Sequence, residues 1–155
     1  MTKAFEYRHV VSFEETNLVG NVYFVNFLRW QGRCRELFLM QHAREVRDQF
    51  EQGLALMTTR CACEFKEELS AFDEVLIAMR LDPQTQKELG LGSIQSRITL
   101  RFDYFKMDCD SSGQERHRVL VATGSQEVAC MWRRGSTLVS TPFPESLLIA
   151  LSAYS

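Results

Sequence analysis

The sequence predicts a two-layer α+β domain built from one strand, one long helix and then a run of antiparallel strands. Two patterns carry this reading. Around Phe27 to Phe38 apolar side chains recur at helical spacing, and beyond Ala55 they alternate along stretches separated by turn-forming residues. A sheet this long beside a single long helix covers one of its faces with that helix. With 155 residues, 45% of them hydrophobic, the chain suits one domain, 1–155, with a core of its own.

The first strand is read from Phe5 to Phe13, where Val10, Val11 and Phe13 suit a pleated, half-buried surface. Glu14 to Asn21 has no apolar period. Gly20-Asn21 is a turn dipeptide, and Asn21 is placed to N-cap a helix from about Val22. Phe27, Trp30, Cys34, Leu37 and Phe38 form the core face of that helix, which runs on to Gly53 as its C-cap. Gly32, inside it, reads as a kink or a close backbone contact. Ala55 to Glu68 is a strand with a bulge, and Asp73 to Leu81 is another, with Val75, Ile77 and Met79 alternating until Pro83 stops it. Gln84 to Gly92 reads as a polar connector. Ile94 to Met107 puts Ile98, Leu100, Phe102 and Tyr104 on one face and Thr99, Arg101 and Asp103 on the other. Asp108 to Gly113 is a hairpin turn by composition, and Glu115 to Trp132 is a long strand bulged at Gly124-Ser125. Arg133 to Ser136 closes that strand, and Pro144 to Ala153 forms a short terminal helix.

Composition excludes several classes. A net charge of -2 leaves no basic footprint for nucleic acid. No apolar run approaches the roughly 20 residues that span a bilayer, and Met1 to Glu6 lacks the apolar core of a signal peptide. The five cysteines (Cys34, Cys61, Cys63, Cys109 and Cys130) are an odd number without a CxxC pair, which points to a reducing cytoplasm rather than a disulfide framework. Cys61 and Cys63 share one strand face with no clustered histidines, so they read as small buried hydrophobes rather than metal ligands.

A second line along the helix, Phe24, Leu28, Gln31 and Arg35, ends in two polar groups and is a candidate site lining. Ahead of it stands Glu15-Thr16-Asn17-Leu18-Val19-Gly20-Asn21-Val22-Tyr23-Phe24, then Leu28-Arg29-Trp30-Gln31-Gly32-Arg33-Cys34-Arg35-Glu36. This segment resembles the loop and helix of hot-dog fold thioesterases of the 4-hydroxybenzoyl-CoA type. It is most similar to the branch serving enediyne polyketide biosynthesis. The resemblance implies an antiparallel sheet wrapped around the long helix, thioester hydrolysis without a cofactor, and a homotetramer built as a dimer of dimers. It further implies a 3-ketoacyl polyene substrate carried on the acyl carrier protein domain of a polyketide synthase.

Within that resemblance Asn17 falls where the family usually has a catalytic aspartate. An amide is neither nucleophile nor general base at neutral pH, but its oxygen can hold a water beside a thioester carbonyl. Read from residues alone, Asn17 is a turn asparagine bonding its own loop. The backbone N–H groups of Tyr23 and Phe24 are candidate oxyanion donors, because a helix start leaves amides unpaired; capping by Asn21 or water is the alternative. Arg35 either orients the substrate or pairs with Glu36 or Glu15. Glu15 is a second candidate for a base, or else a partner for its loop. Gly20, Leu28 and Gln31 are the implied substrate contacts, and Arg29 and Arg33 are left to solvent or a partner. Arg44, Arg47, Arg133 and Arg134 are candidates for docking an acidic carrier protein. Three other functions stay open. An acyl-CoA thioesterase would use the same residues, and a non-catalytic acyl-binding protein would explain the missing aspartate. A hot-dog dehydratase ranks below both, because no histidine lies between His9 and His42.

Overall fold

A computed structural model of the chain describes residues 3–90 and 95–155, the side chains of 89 and 90 excepted. In order, the elements are β1 (Phe5–Val10), a 3-10 turn (Phe13–Glu15), α1 (Val25–His42), α2 (Val46–Gln52), β2 (Leu54–Phe65), β3 (Glu74–Leu81), α3 (Pro83–Gly90), β4 (Arg97–Cys109), β5 (Glu115–Arg134), β6 (Thr137–Ser140) and α4 (Glu145–Ser152). All strand pairs are antiparallel, in the order β1-β3-β4-β5-β2, with β6 added to the end of β5. The sheet curls around α1, which is the hot-dog arrangement.

Burial explains that architecture. Phe27, Trp30, Cys34 and Phe38 are 3% exposed or less and make the inner stripe of α1. Against them β4 presents Ile98, Leu100, Phe102 and Tyr104, all buried, while β3 adds Val75, Ile77 and Met79. Each large side chain of this kind contributes roughly 1.5–3 kcal/mol on burial. The Tyr104 hydroxyl donates to the Phe27 carbonyl at 2.8 Å, tying β4 to the first turns of α1.

The structure corrects several boundaries. β1 ends at Val10 rather than Phe13. Val11 then bonds Asp73 and Phe72 through its backbone, and the 3-10 turn swings Phe13 out to 77% exposure. The long helix begins at Val25, not Val22, because Val22 and Tyr23 give their amides to Leu69 and Glu15. It also breaks at Ala43, whose extended φ of -142° separates α1 from α2. Gly53 does cap α2, at φ 127°, with its amide on the Gln49 and Phe50 carbonyls. Gly32 is neither kink nor close contact, since α1 continues through it and a side chain there would meet open space.

The expected connector at Gln84–Gly92 is α3 over Pro83–Gly90, and the rest of that stretch lies outside the described residues. Its signal was Asp82-Pro83. The Asp82 carboxylate accepts the Gln84 amide at 2.8 Å, as an N-cap does, and proline suits the first helical position. The bulge in β2 falls between Thr58 and Arg60. At Gly124-Ser125, by contrast, β5 stays in register with both neighbours, and its shifts against β4 lie at Tyr104/Phe105 and Asp108/Cys109. Glycine at 124 serves a close approach: a Cβ there would collide with Gln31 Nε2 and come within 2.9 Å of the Ala62 carbonyl. Of the cysteines, Cys34 and Cys130 are buried as expected, but Cys61 is exposed on β2 and Cys63 and Cys109 are half-buried. Burial pushes the Cys34 thiol up to about 12. No helix among the described residues is long and apolar enough to cross a membrane.

Candidate active site

The loop before α1 is held as a small ring. Thr16 bridges Val22, the Asn17 amide donates to the Asn21 carbonyl at 2.9 Å, and the Gly20 amide donates to the Asn17 carbonyl at 3.0 Å. Gly20 has φ 90°, a left-handed value that favours glycine. The Asn17 side chain accepts the Val19 amide at 3.0 Å, so the turn reading of this residue is present in the structure. One lone pair of its oxygen remains, and its side chain is at the surface with Leu18 and Val19.

Asn21 does not cap α1. It bridges Ser70, and its amide donates to Glu68 at 3.3 Å. The N-cap position falls to Phe24, with no side-chain cap. Of the two amides expected as free donors, Tyr23 N–H already donates to the Glu15 carbonyl at 2.9 Å. Phe24 N–H has no acceptor among the described residues. Asn26, which the sequence reading passed over, is 6% exposed and donates its side-chain amide to the same Glu15 carbonyl at 2.9 Å. The available signal was an asparagine set between Val25 and Phe27-Leu28 at a helix start, since an amide buried among apolar neighbours needs a partner.

Glu15 is enclosed rather than poised. Its carboxylate accepts from the Ser12 amide at 2.8 Å, His9 Nε2 at 2.7 Å and Trp30 Nε1 at 2.8 Å. Burial pushes this carboxyl up, but the bonds from Ser12, His9 and Trp30 outweigh it and hold the group below the usual carboxylate range. It is ionised and its acceptor sites face donors.

Farther along α1, Gln31 is fully buried, with Nε2 donating to the Ala62 carbonyl at 3.0 Å and Oε1 unpartnered among the described residues. Arg35 crosses to the sheet, where Nη1 donates to Thr58 Oγ1 at 2.8 Å and Gln126 Oε1 at 3.1 Å. Neither acid considered as its partner is available: Glu36 pairs with Arg33 at 3.3 Å and Glu15 with His9. Among the described residues Arg35 has no carboxylate partner, and burial lowers its pKa, partly offset by nearby Glu36. A half-buried cation resting on two neutral acceptors keeps its charge uncompensated and has further guanidinium donors to offer. Gln126, 4% exposed, is its second unforeseen partner. Leu28 is half-buried on the same flank. From Phe24 to Arg35 α1 rises about 16 Å, so within one chain the Asn17 loop and Arg35 mark two ends of a track rather than one cluster.

Comparison with known proteins fits this geometry. Residues 11–151 match the family model described as the thioesterase-like superfamily. The dynemicin thioesterase, solved in a study of polyene binding, is 44% identical, covers 98% of this chain and 97% of its own, and superposes with a TM-score of 0.81. The 1,4-dihydroxy-2-naphthoyl-CoA thioesterase of Synechocystis is 18% identical over 96% of this chain and 95% of its own (TM-score 0.71). The 4-hydroxybenzoyl-CoA thioesterase of Pseudomonas sp. strain CBS-3 is 15% identical over 96% and 99% (TM-score 0.73). No curated protein matches the sequence.

Proposed function

This chain belongs to the thioesterase-like superfamily and is a thioester hydrolase, and we propose that it releases a 3-ketoacyl polyene from the acyl carrier protein domain of an enediyne polyketide synthase. The observation that carries the proposal is the 44% identity, over nearly the whole chain, to the dynemicin thioesterase. Water held by the free lone pair of Asn17 attacks the thioester carbon. The Phe24 amide, at the positive end of α1, stabilises the oxyanion. The carbon–sulfur bond then breaks, the carrier thiol leaves with a proton, and the acid is released. No carboxylate nucleophile takes part. The carrier-bound thioester reaches Phe24 along the flank of Leu28, with Arg35 on one of the oxygens of the carrier's arm. A freed 3-keto acid can then lose carbon dioxide without the enzyme.

The carrier docks at the far end of this flank. Leu39, one turn beyond Arg35, lines a groove of about 730 Å³ with Met40 and Phe50, bordered by Arg44 and Arg47 and by one acid, Glu36. Phe50 also borders the cleft of Arg133, next to Arg134, so these arginines offer a positive rim to an acidic carrier. The working form is a homotetramer, a dimer of dimers. β2 leaves an edge of 12 residues at the end of the sheet order, and Leu18, Val19 and Phe24 on the loop before α1 and Phe65 on β2 are exposed apolar side chains.

The test is turnover of one long 3-ketoacyl thioester in two forms, on the carrier domain and on coenzyme A, with the mass followed by light scattering. The proposal expects a preference for the carrier form that is lost when Arg44 and Arg47 are changed to Glu, and a tetrameric mass. Equal turnover of both forms makes the protein an acyl-CoA thioesterase. Turnover of neither makes it an acyl-binding protein.

A further inference from the structure

Glu15 is bonded twice over, by its side chain and by its backbone, and the two sets of partners differ. Its side chain is 14% exposed. Oε1 accepts from His9 Nε2 on β1 and from Ser12, while Oε2 accepts from Trp30 Nε1 in the second turn of α1. His9 is itself held, with Nδ1 3.1 Å from the Tyr7 hydroxyl and its ring 5.1 Å from that of Trp30. The carbonyl of Glu15 meanwhile accepts Tyr23 N–H and the Asn26 side chain, both at 2.9 Å. One residue therefore fastens the sheet and the helix through its carboxylate and the first turn of α1 through its backbone. Asn17 is two residues onward in the same loop, and Phe24 directly follows Tyr23.

We propose that His9 and Trp30 are positioning residues for hydrolysis, acting through Glu15 to set the Asn17 loop and the free Phe24 amide. This rests on the reading of Asn17 and Phe24 given above. Neither residue touches the reacting atoms. Bonds to an ionised acceptor are stronger and more directional than those between neutral groups, which suits a group that must hold three elements in register. Loss of either donor lets Glu15 turn, and its carbonyl carries the Tyr23–Phe24 segment with it. Small displacements of oriented donors are costly to a reaction that depends on fixed geometry.

Steady-state kinetics and melting of Trp30→Phe, His9→Leu, His9→Gln and Cys34→Ala test the proposal. Trp30→Phe keeps an aromatic ring but loses the N–H, and His9→Leu loses the donor. Each should lower kcat by about tenfold at unchanged KM, the size expected for a misplaced catalytic frame. His9→Gln, whose amide can still donate to Glu15, should regain most of the loss. Cys34→Ala, buried on the same stripe of α1, should lower Tm without lowering kcat. Should Trp30→Phe and His9→Leu lose no more kcat than Cys34→Ala at an equal loss of Tm, the pair is merely structural and the proposal is overturned. If Trp30→Phe fails to fold, the contrast between His9→Leu and His9→Gln decides. Asn17→Ala is measured alongside. Full activity there overturns the reading of the loop, whereas its loss with intact Trp30→Phe and His9→Leu overturns the positioning role alone.

Discussion

Arg35→Met should lower turnover by about tenfold or more, each decade costing about 1.4 kcal/mol of transition-state stabilisation, while leaving Tm almost unchanged. Two opposing effects explain the small change in stability. The substitution strips a donor from Gln126, which is 4% exposed, and an unsatisfied buried acceptor costs about 1–3 kcal/mol. It also removes a half-buried cation that no carboxylate neutralises among the described residues, a desolvation cost of the same order. The two leave stability within about 1 kcal/mol of the parent. Arg35→Lys keeps the charge but not the longer guanidinium, whose Nη1 serves Thr58 and Gln126 while its other nitrogens stay free to donate among the described residues, so it should recover only part of the rate. Thermal melting and kcat/KM on a long acyl thioester measure both. A stability loss of several kcal/mol with unchanged turnover would make Arg35 a structural residue.

Glu15→Gln should cost about 2–3 kcal/mol of stability at pH 7, the range for bonds to a charged group. An amide presents an N–H to at least one of the donors that Ser12, His9 and Trp30 aim at this position. The pH dependence follows from the lowered pKa of Glu15. A depressed folded value means that this stabilisation is fully present above the ordinary carboxylate range and is lost as pH falls through the folded value. The gap in Tm between parent and Glu15→Gln should therefore narrow on acidification toward pH 3. A gap that stays constant or widens would show that the carboxylate is not held by these bonds.

Much of the fold was legible because its patterns are local. The inner stripe of α1 and the alternation of β4 follow from helix and strand periods, and burial confirms Phe27, Trp30, Cys34 and Phe38 as well as Ile98 to Tyr104. The errors have non-local causes. Val22 and Tyr23 have helical neighbours in sequence, but bonds to Leu69 and Glu15 hold them out of α1. Gly124 looked like a bulge because nothing nearby in sequence reveals that Gln31, on a helix some ninety residues earlier, needs its space. β6 was missed because four residues joined to the end of β5 carry too short a pattern.

The site divides in the same way. The segment from Glu15 to Phe24 stood out as a motif, yet the motif does not say that Tyr23 N–H is already bonded and Phe24 N–H is not. Arg35 was visible as a cation ending the line Phe24, Leu28, Gln31 along α1. Its partners Thr58 and Gln126 were not, because they come from strands whose register only the folded sheet fixes.

In the proposed mechanism an amide and fixed donors, not a carboxylate base, carry hydrolysis. The most direct measurement is the pH–rate profile of kcat/KM for the parent, Asn17→Ala and Glu15→Gln on a carrier-bound 3-ketoacyl thioester. Asn17→Ala should lie about tenfold below the parent at every pH, since one oriented contact is worth about a decade. Whatever Glu15→Gln loses should be lost evenly across the pH range, as befits a displaced frame. A general base would instead impose an acid limb on the parent. An acid limb that vanishes in Glu15→Gln, together with full activity in Asn17→Ala, would make Glu15 the base and Asn17 a turn residue only.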